Sequence, residues 1–147
     1  MKYRKFFYSP LGLLLLLVLV SPFNGQEEGI AQESQYLDQV VLCRDVEEKE
    51  PLLETTSFQV WDEKVVCWIS FSYYSPESFF ITWEWEDPAG NIYHVGNLEM
   101  EGGNYQNYRT WYWINIRDHY AANLTGGWKV RVYIDGVLLA VKDFTIG

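Results

Sequence analysis

The sequence predicts an all-β fold, one antiparallel β-sandwich of about seven or eight strands. Three observations predict it. Apolar and polar residues alternate with a period of two through most of the chain, and no long segment repeats at 3.6 residues. Short clusters rich in Pro, Gly, Asn and Asp punctuate these runs. The closing stretch, "GWKVRVYIDGVLLAVKDFTIG", spells a hairpin. Trp128, Val130, Val132 and Ile134 share one face, Lys129, Arg131 and Tyr133 the other, and Asp135-Gly136 supplies the two positive-φ positions of a type I′ turn.

The first element precedes the fold. Lys2, Arg4 and Lys5 make a basic start, and Leu11 to Val20 is an apolar run bracketed by Pro10 and Pro22. That run has the length of an export-signal core and falls short of the roughly 20 residues needed to span a bilayer. Residues 1–25 are therefore expected to be a signal peptide, with an uncleaved N-terminal anchor as the alternative. Phe23 is bulky for a cleavage motif, and Gly25 is the best candidate for the last residue removed. Residues 26–36, polar and acidic, read as a linker, and 37–147 as one domain.

Within the domain, Gln39 to Val46 is the first expected strand. The segment "EEKEPLLETTS", with Pro51, reads as a loop, and "FQVW" as a short strand. Lys64 to Tyr74 is long, β-branched and aromatic, the composition of a well-packed strand. Phe79 to Glu86 follows after "SPES", and "DPAGN" places proline and glycine where a hairpin turn uses them. "IYHVGNLEM" is a strand weakened by Gly96, "EGGNYQNY" a flexible loop, and Arg109 to Ile116 another strand. "RDHYAANLTGG" is a polar connection with room for one helical turn.

The run from Cys43 to Tyr73, the "WEWEDPAGN" stretch and the closing G-x-W-x-V-x-V…D-G…F hairpin resemble a loose group of exported bacterial immunoglobulin-like domains of unknown function. The resemblance covers about Val40 to Ile146, and its sharpest part is the closing hairpin. It implies an immunoglobulin-like sandwich and export, and it brings no catalytic residues to this chain.

Charge narrows the partners. Eight basic residues stand against twenty acidic ones after Gly25, so the expected exported part carries −12. Such a surface repels phosphate backbones, so nucleic acid is a poor candidate partner, and the charge also serves solubility. Cys43 and Cys67 lie in two strand-like runs, "VVLCRDV" and "KVVCWIS". In an oxidising compartment they are expected to form a disulfide, closing a loop of about two dozen residues and contributing about 3 kcal/mol.

Glu84 and Glu86 alternate with Trp83 and Trp85. Strand geometry places the two carboxylates roughly 7 Å apart on one face. Glycosidase carboxylates come from separate segments that flank a substrate. Core tryptophans and solvated glutamates are therefore the expected arrangement. His94 and His119 are the two histidines, sit in separate segments, and have no metal-ligand spacing. No cofactor, metal or catalytic group is expected. Asn123-Leu124-Thr125 fits a glycosylation sequon.

The seven tryptophans exceed what one small core takes, given eleven tyrosines besides. In "RTWYWIN", Tyr112, Ile114 and Ile116 form one face, and Trp111, Trp113 and Asn115 the other. With Tyr112 and Ile114 inward, Trp111 and Trp113 form an outward aromatic strip. Tyr105, Tyr108 and Arg109, in the adjoining "NYQNYR", combine rigid aromatics with adaptable polar groups, the chemistry of recognition loops. These five residues are the candidate ligand-binding set. The expected function is a non-catalytic exported binding or structural module of the cell envelope, periplasmic or extracellular, that engages a protein. A carbohydrate-binding module using Trp111 and Trp113 on a polysaccharide is the alternative. Contact with a membrane is expected only through the N-terminal segment, if it is retained.

Overall fold

The computed structural model describes residues 35–147. The expected export signal and nearly all of the expected linker lie outside the described residues. Nine strands form two sheets: β1 (Leu37–Glu47), β2 (Glu50–Glu54), β3 (Ser57–Phe58), β4 (Lys64–Ser75), β5 (Phe79–Glu86), β6 (Ile92–Met100), β7 (Gly103–Asn115), β8 (Gly126–Ile134) and β9 (Val137–Ile146). One sheet has the order β2-β1-β4-β7, the other β3-β9-β8-β5-β6. All pairings are antiparallel except β3 with β9. Among the described residues no helix is long and apolar enough to cross a membrane; a 3₁₀ turn at Tyr120–Asn123 provides the expected single helical turn.

The period-two pattern buries one face of each sheet against the other. Val65, Cys67, Ile69 and Phe71 of β4 meet Phe79, Ile81, Trp83 and Trp85 of β5, and Trp128, Val130, Val132 and Ile134 of β8. Trp83 and Trp85 are 0% exposed, as their alternation with glutamate requires. The closing hairpin turns at Asp135 and Gly136, with φ of 45° and 77°. At the β5–β6 turn the Asp87 side chain accepts hydrogen bonds from Ala89 N and Asn91 N, and Gly90 takes φ 84°.

Gly96 has a packing role that its weak strand propensity hides. It sits in β6 opposite Trp83, and a Cβ there would lie 2.4 Å from the Tyr112 ring. The bare backbone lets Tyr112 of β7 lie across β6, stacked between Trp83 (5.7 Å) and His94 (5.6 Å). This contact links the two sheets at their open side.

Two expected loops are strands. "EEKEPLLETTS" contains β2 and the end of β1, joined at Glu48 and Lys49 with φ of 50° and 67°. Pro51 is tolerated because β2 is an edge strand, where a missing N–H breaks no ladder. "EGGNYQNY" belongs largely to β7, which pairs with Tyr73–Ser75 of β4 beyond a register shift. The shift leaves Asn107 at φ 49°, its N–H donating to Ser72 Oγ at 3.1 Å.

The expected disulfide is corrected. Cys43 and Cys67 are both free and buried. In register Leu42 faces Cys67 and Cys43 faces Val66, so Cys43 is one residue out of phase with Cys67. Strand alternation then turns the two thiols to opposite faces of the sheet. Cys67 packs in the main core, Cys43 in a second cluster on the outer face.

That second cluster explains the surplus of tryptophan. Cys43, Val66 and Trp68 are buried on the outer face of the four-stranded sheet, with Val41, Val46 and Trp111 packed beside them. Trp68 faces Val41 in register, yet its indole N–H donates to the Lys49 carbonyl at 2.8 Å. A straight strand would carry Lys49 roughly 26 Å from Val41. The β1–β2 ribbon therefore curls back over the outer face and roofs the cluster.

Candidate functional site

β7 is the site's main element. It ends the four-stranded sheet, and β6 ends the other on the same side, where Tyr112 bridges them. From Tyr108 to Asn115, β7 keeps regular register with Lys64–Phe71 of β4. In an antiparallel pair alternate residues aim their N–H and C=O away from the partner. Along this stretch those groups face the open edge, which pairs with no other strand among the described residues.

The five sequence-selected residues divide between two surfaces. Arg109, Trp111 and Trp113 lie on the outer face of the four-stranded sheet. Arg109 forms an ion pair with Glu50 of the folded-back ribbon. Trp111 faces Trp68 in register and is half-buried against its cluster. Trp113 is 46% exposed, with Lys64 Nζ 6.0 Å from its ring centroid. Tyr108 lies on the inner side in regular alternation with Tyr112 and Ile114, and the irregularity at Asn107 brings Tyr105 to the same side, at the sandwich edge. Tyr105 packs on Phe71 and Phe79 and donates its hydroxyl to the Glu101 carbonyl at 2.7 Å, so it is an anchored core-edge residue. Tyr108 is 42% exposed, 5.6 Å from Phe71.

The glutamate pair faces outward on the other sheet. Arg131 Nη1 lies 2.6 Å from Glu86 and 3.5 Å from Glu84, and the Tyr133 hydroxyl 3.4 Å from Glu84. Glu86, first, holds the Arg131 guanidinium above its usual pKa. Both partly buried carboxylates thus share one cation on the outer face of the sheet, an ion-paired structural arrangement.

Burial pushes the Cys67 thiol up to about 12, with the nearby Cys43 adding to the effect and the Trp83 indole opposing it. The Cys43 thiol is also raised, mainly by burial, against backbone hydrogen bonding at Leu52 and Asp45 that lowers it. Neither thiol is thus primed as a nucleophile.

Sequence reasoning set aside the two histidines, which the fold brings to one place. Tyr93 and His94 of β6, Tyr112, Trp113 and Asn115 of β7, and His119 of the β7–β8 connection line a notch of about 330 Å³. His94 Nε2 is 3.1 Å from the Tyr112 hydroxyl. His119 Nδ1 is 2.9 Å from the Arg117 carbonyl. A carbonyl only accepts, so Nδ1 carries the proton and neutral His119 presents a bare Nε2. Twenty-four residues lie between the histidines, and only the adjacency of the β6 and β7 edges joins them.

The structure is similar to an immunoglobulin-like protein from Pseudomonas aeruginosa, with a TM-score of 0.56 and 14% identity over 79% of this chain and 99% of that one. The fold is an immunoglobulin-like β-sandwich. A second solved structure, the alkylpurine DNA glycosylase AlkC of Pseudomonas fluorescens bound to DNA with an abasic-site analogue, aligns with a TM-score of 0.45 and 12% identity. That alignment spans 63% of this chain and 27% of the glycosylase. No protein-family model matches the sequence, and no curated protein matches it.

Proposed function

We propose that the chain is a non-catalytic, exported binding module of the cell envelope whose partner is a protein. One observation carries the reading: β7 presents an edge, unpaired among the described residues, beside the exposed Trp113. Open edges accept a partner's strand through main-chain hydrogen bonds, and large exposed aromatics anchor the contact. The acidic charge of the domain favours a partner with a basic surface.

Site-specific photocrosslinking in the native envelope tests this. A photoreactive residue at Trp113 or Tyr108 is expected to give one discrete protein adduct, absent when the same group replaces Asp143 on the opposite sheet. Adducts that do not depend on position, or none at all, refute it. A second reading, a carbohydrate-binding module, is supported by the half-exposed Trp113 ring, a flat surface on which a sugar ring can stack.

A further inference from the structure

Resting on the carbohydrate reading, we infer that the sugar site is the notch between the edges of β6 and β7, and that it takes a neutral sugar unit. The outer-face set of Arg109 and Trp111 is then not the binding surface. Trp111 is half-covered by the folded-back ribbon and Arg109 is tied to Glu50. The notch is open, and its volume of about 330 Å³ lies at the small end of ligand sites.

The chemistry of its walls selects the ligand. Tyr93, Tyr112 and Trp113 supply aromatic surface; Asn115 and the two imidazoles supply hydrogen bonds. No Lys, Arg, Asp or Glu lines it, in a domain dense with carboxylates. A cationic ligand would find no carboxylate in this lining, and the nearest ammonium, Lys64, already lies over the Trp113 ring, whereas a hydroxyl-rich neutral ring finds hydrogen-bond partners in Asn115, the tyrosine hydroxyls and the imidazoles. The His119 imidazole can hydrogen-bond a sugar hydroxyl, and the Asn115 amide can both donate and accept.

The site also has a direction of extension. His119 is shared with a neighbouring hollow of about 660 Å³ that holds one basic and one acidic side chain, Arg117 and Asp118, beside Trp61 and Tyr120, each 66% exposed. Their exposed rings offer flat apolar surface on which further sugar units can stack. A chain with one unit in the notch would pass His119 and continue over these rings. The hollow of about 670 Å³ near Asp87 and Pro88 lacks this character, for its aromatics, Trp128 and Phe144, are buried.

The experiment is ¹H–¹⁵N correlation spectroscopy of the domain titrated with cellotetraose, maltotetraose and chitotetraose, with oligogalacturonate as the charged comparator. The expected result is a saturable shift of the Trp113 and Trp61 indole signals and of the His119 amide with at least one neutral tetrasaccharide and none with oligogalacturonate. Trp113→Ala and His119→Ala are each expected to weaken binding at least tenfold, the effect of losing about 1.4 kcal/mol. Arg109→Ala leaves it unchanged. Unperturbed signals elsewhere in each variant's spectrum verify folding. Saturable shifts confined to Tyr108, Arg109 and Trp111 overturn the notch and leave the carbohydrate reading standing. Absence of binding by every neutral saccharide overturns both.

Discussion

Replacing Trp85 and Trp128 separately by phenylalanine isolates a single buried hydrogen bond. Both indoles are fully buried, at 0% and 1% exposed, and both touch Phe144, at 5.9 Å in each case. The same atoms are removed, so the transfer and cavity contributions cancel to first order. The polar contributions have opposite signs. Trp128 Nε1 donates to the Leu124 carbonyl at 2.8 Å, whereas Trp85 Nε1 is buried with no partner. Trp128→Phe loses a bond of about 1 kcal/mol net. Trp85→Phe relieves an unsatisfied donor that costs about 1–3 kcal/mol. Trp128→Phe should therefore be more destabilising than Trp85→Phe by at least about 2 kcal/mol, or about 8 °C in Tm for a domain of this size. Urea unfolding followed by far-ultraviolet circular dichroism measures both without relying on the altered fluorophores. Equal losses, or a larger loss for Trp85→Phe, would refute the reasoning.

Three further outcomes follow from the packing. Gly96→Ala should destabilise by about 2 kcal/mol, because the Tyr112 ring it strikes is clamped between Trp83 and His94; thermal unfolding checks it, and an unchanged Tm contradicts the clamp. Reductant should leave Tm unchanged, and alkylation followed by mass spectrometry should label both cysteines only after unfolding. The raised Cys67 thiol contributes stability that is fully present below the ordinary thiol pKa and is lost as pH climbs toward about 12. Between these limits the wild type should lose about 1.4 kcal/mol per pH unit more than Cys67→Ala, read from urea midpoints at stepped alkaline pH; parallel slopes would show that the thiol is not shielded.

Much of the fold is legible in local pattern. Trp83 and Trp85 alternate with glutamates, and Trp128, Val130 and Val132 with charged or phenolic residues, so one register buries them and any slip exposes them. Asp135-Gly136 marks its turn because few residue pairs adopt two positive φ values. Pattern misleads at Glu48-Lys49, which take the same conformation without Asn or Gly, and at Pro51, which an edge strand accommodates. Both depend on which strand ends a sheet, and no stretch of sequence records that.

The sequence by itself determined the all-β class, the inward faces of β5 and β8, the closing hairpin, and the acidic charge of the domain. It could show that seven tryptophans were too many for one core; it could not say where the surplus went. Tertiary structure decided that. Curling of the β1–β2 ribbon gives Trp68 and Trp111 a second cluster, and Trp61 and Trp113 remain exposed. Tertiary structure also turned Cys43 away from Cys67 and brought His94 to His119. The physical reason is common to all three. A strand's side-chain period is local, but its neighbours, register and curvature are set by non-local pairing, and sites between sheet edges exist only after that pairing is made.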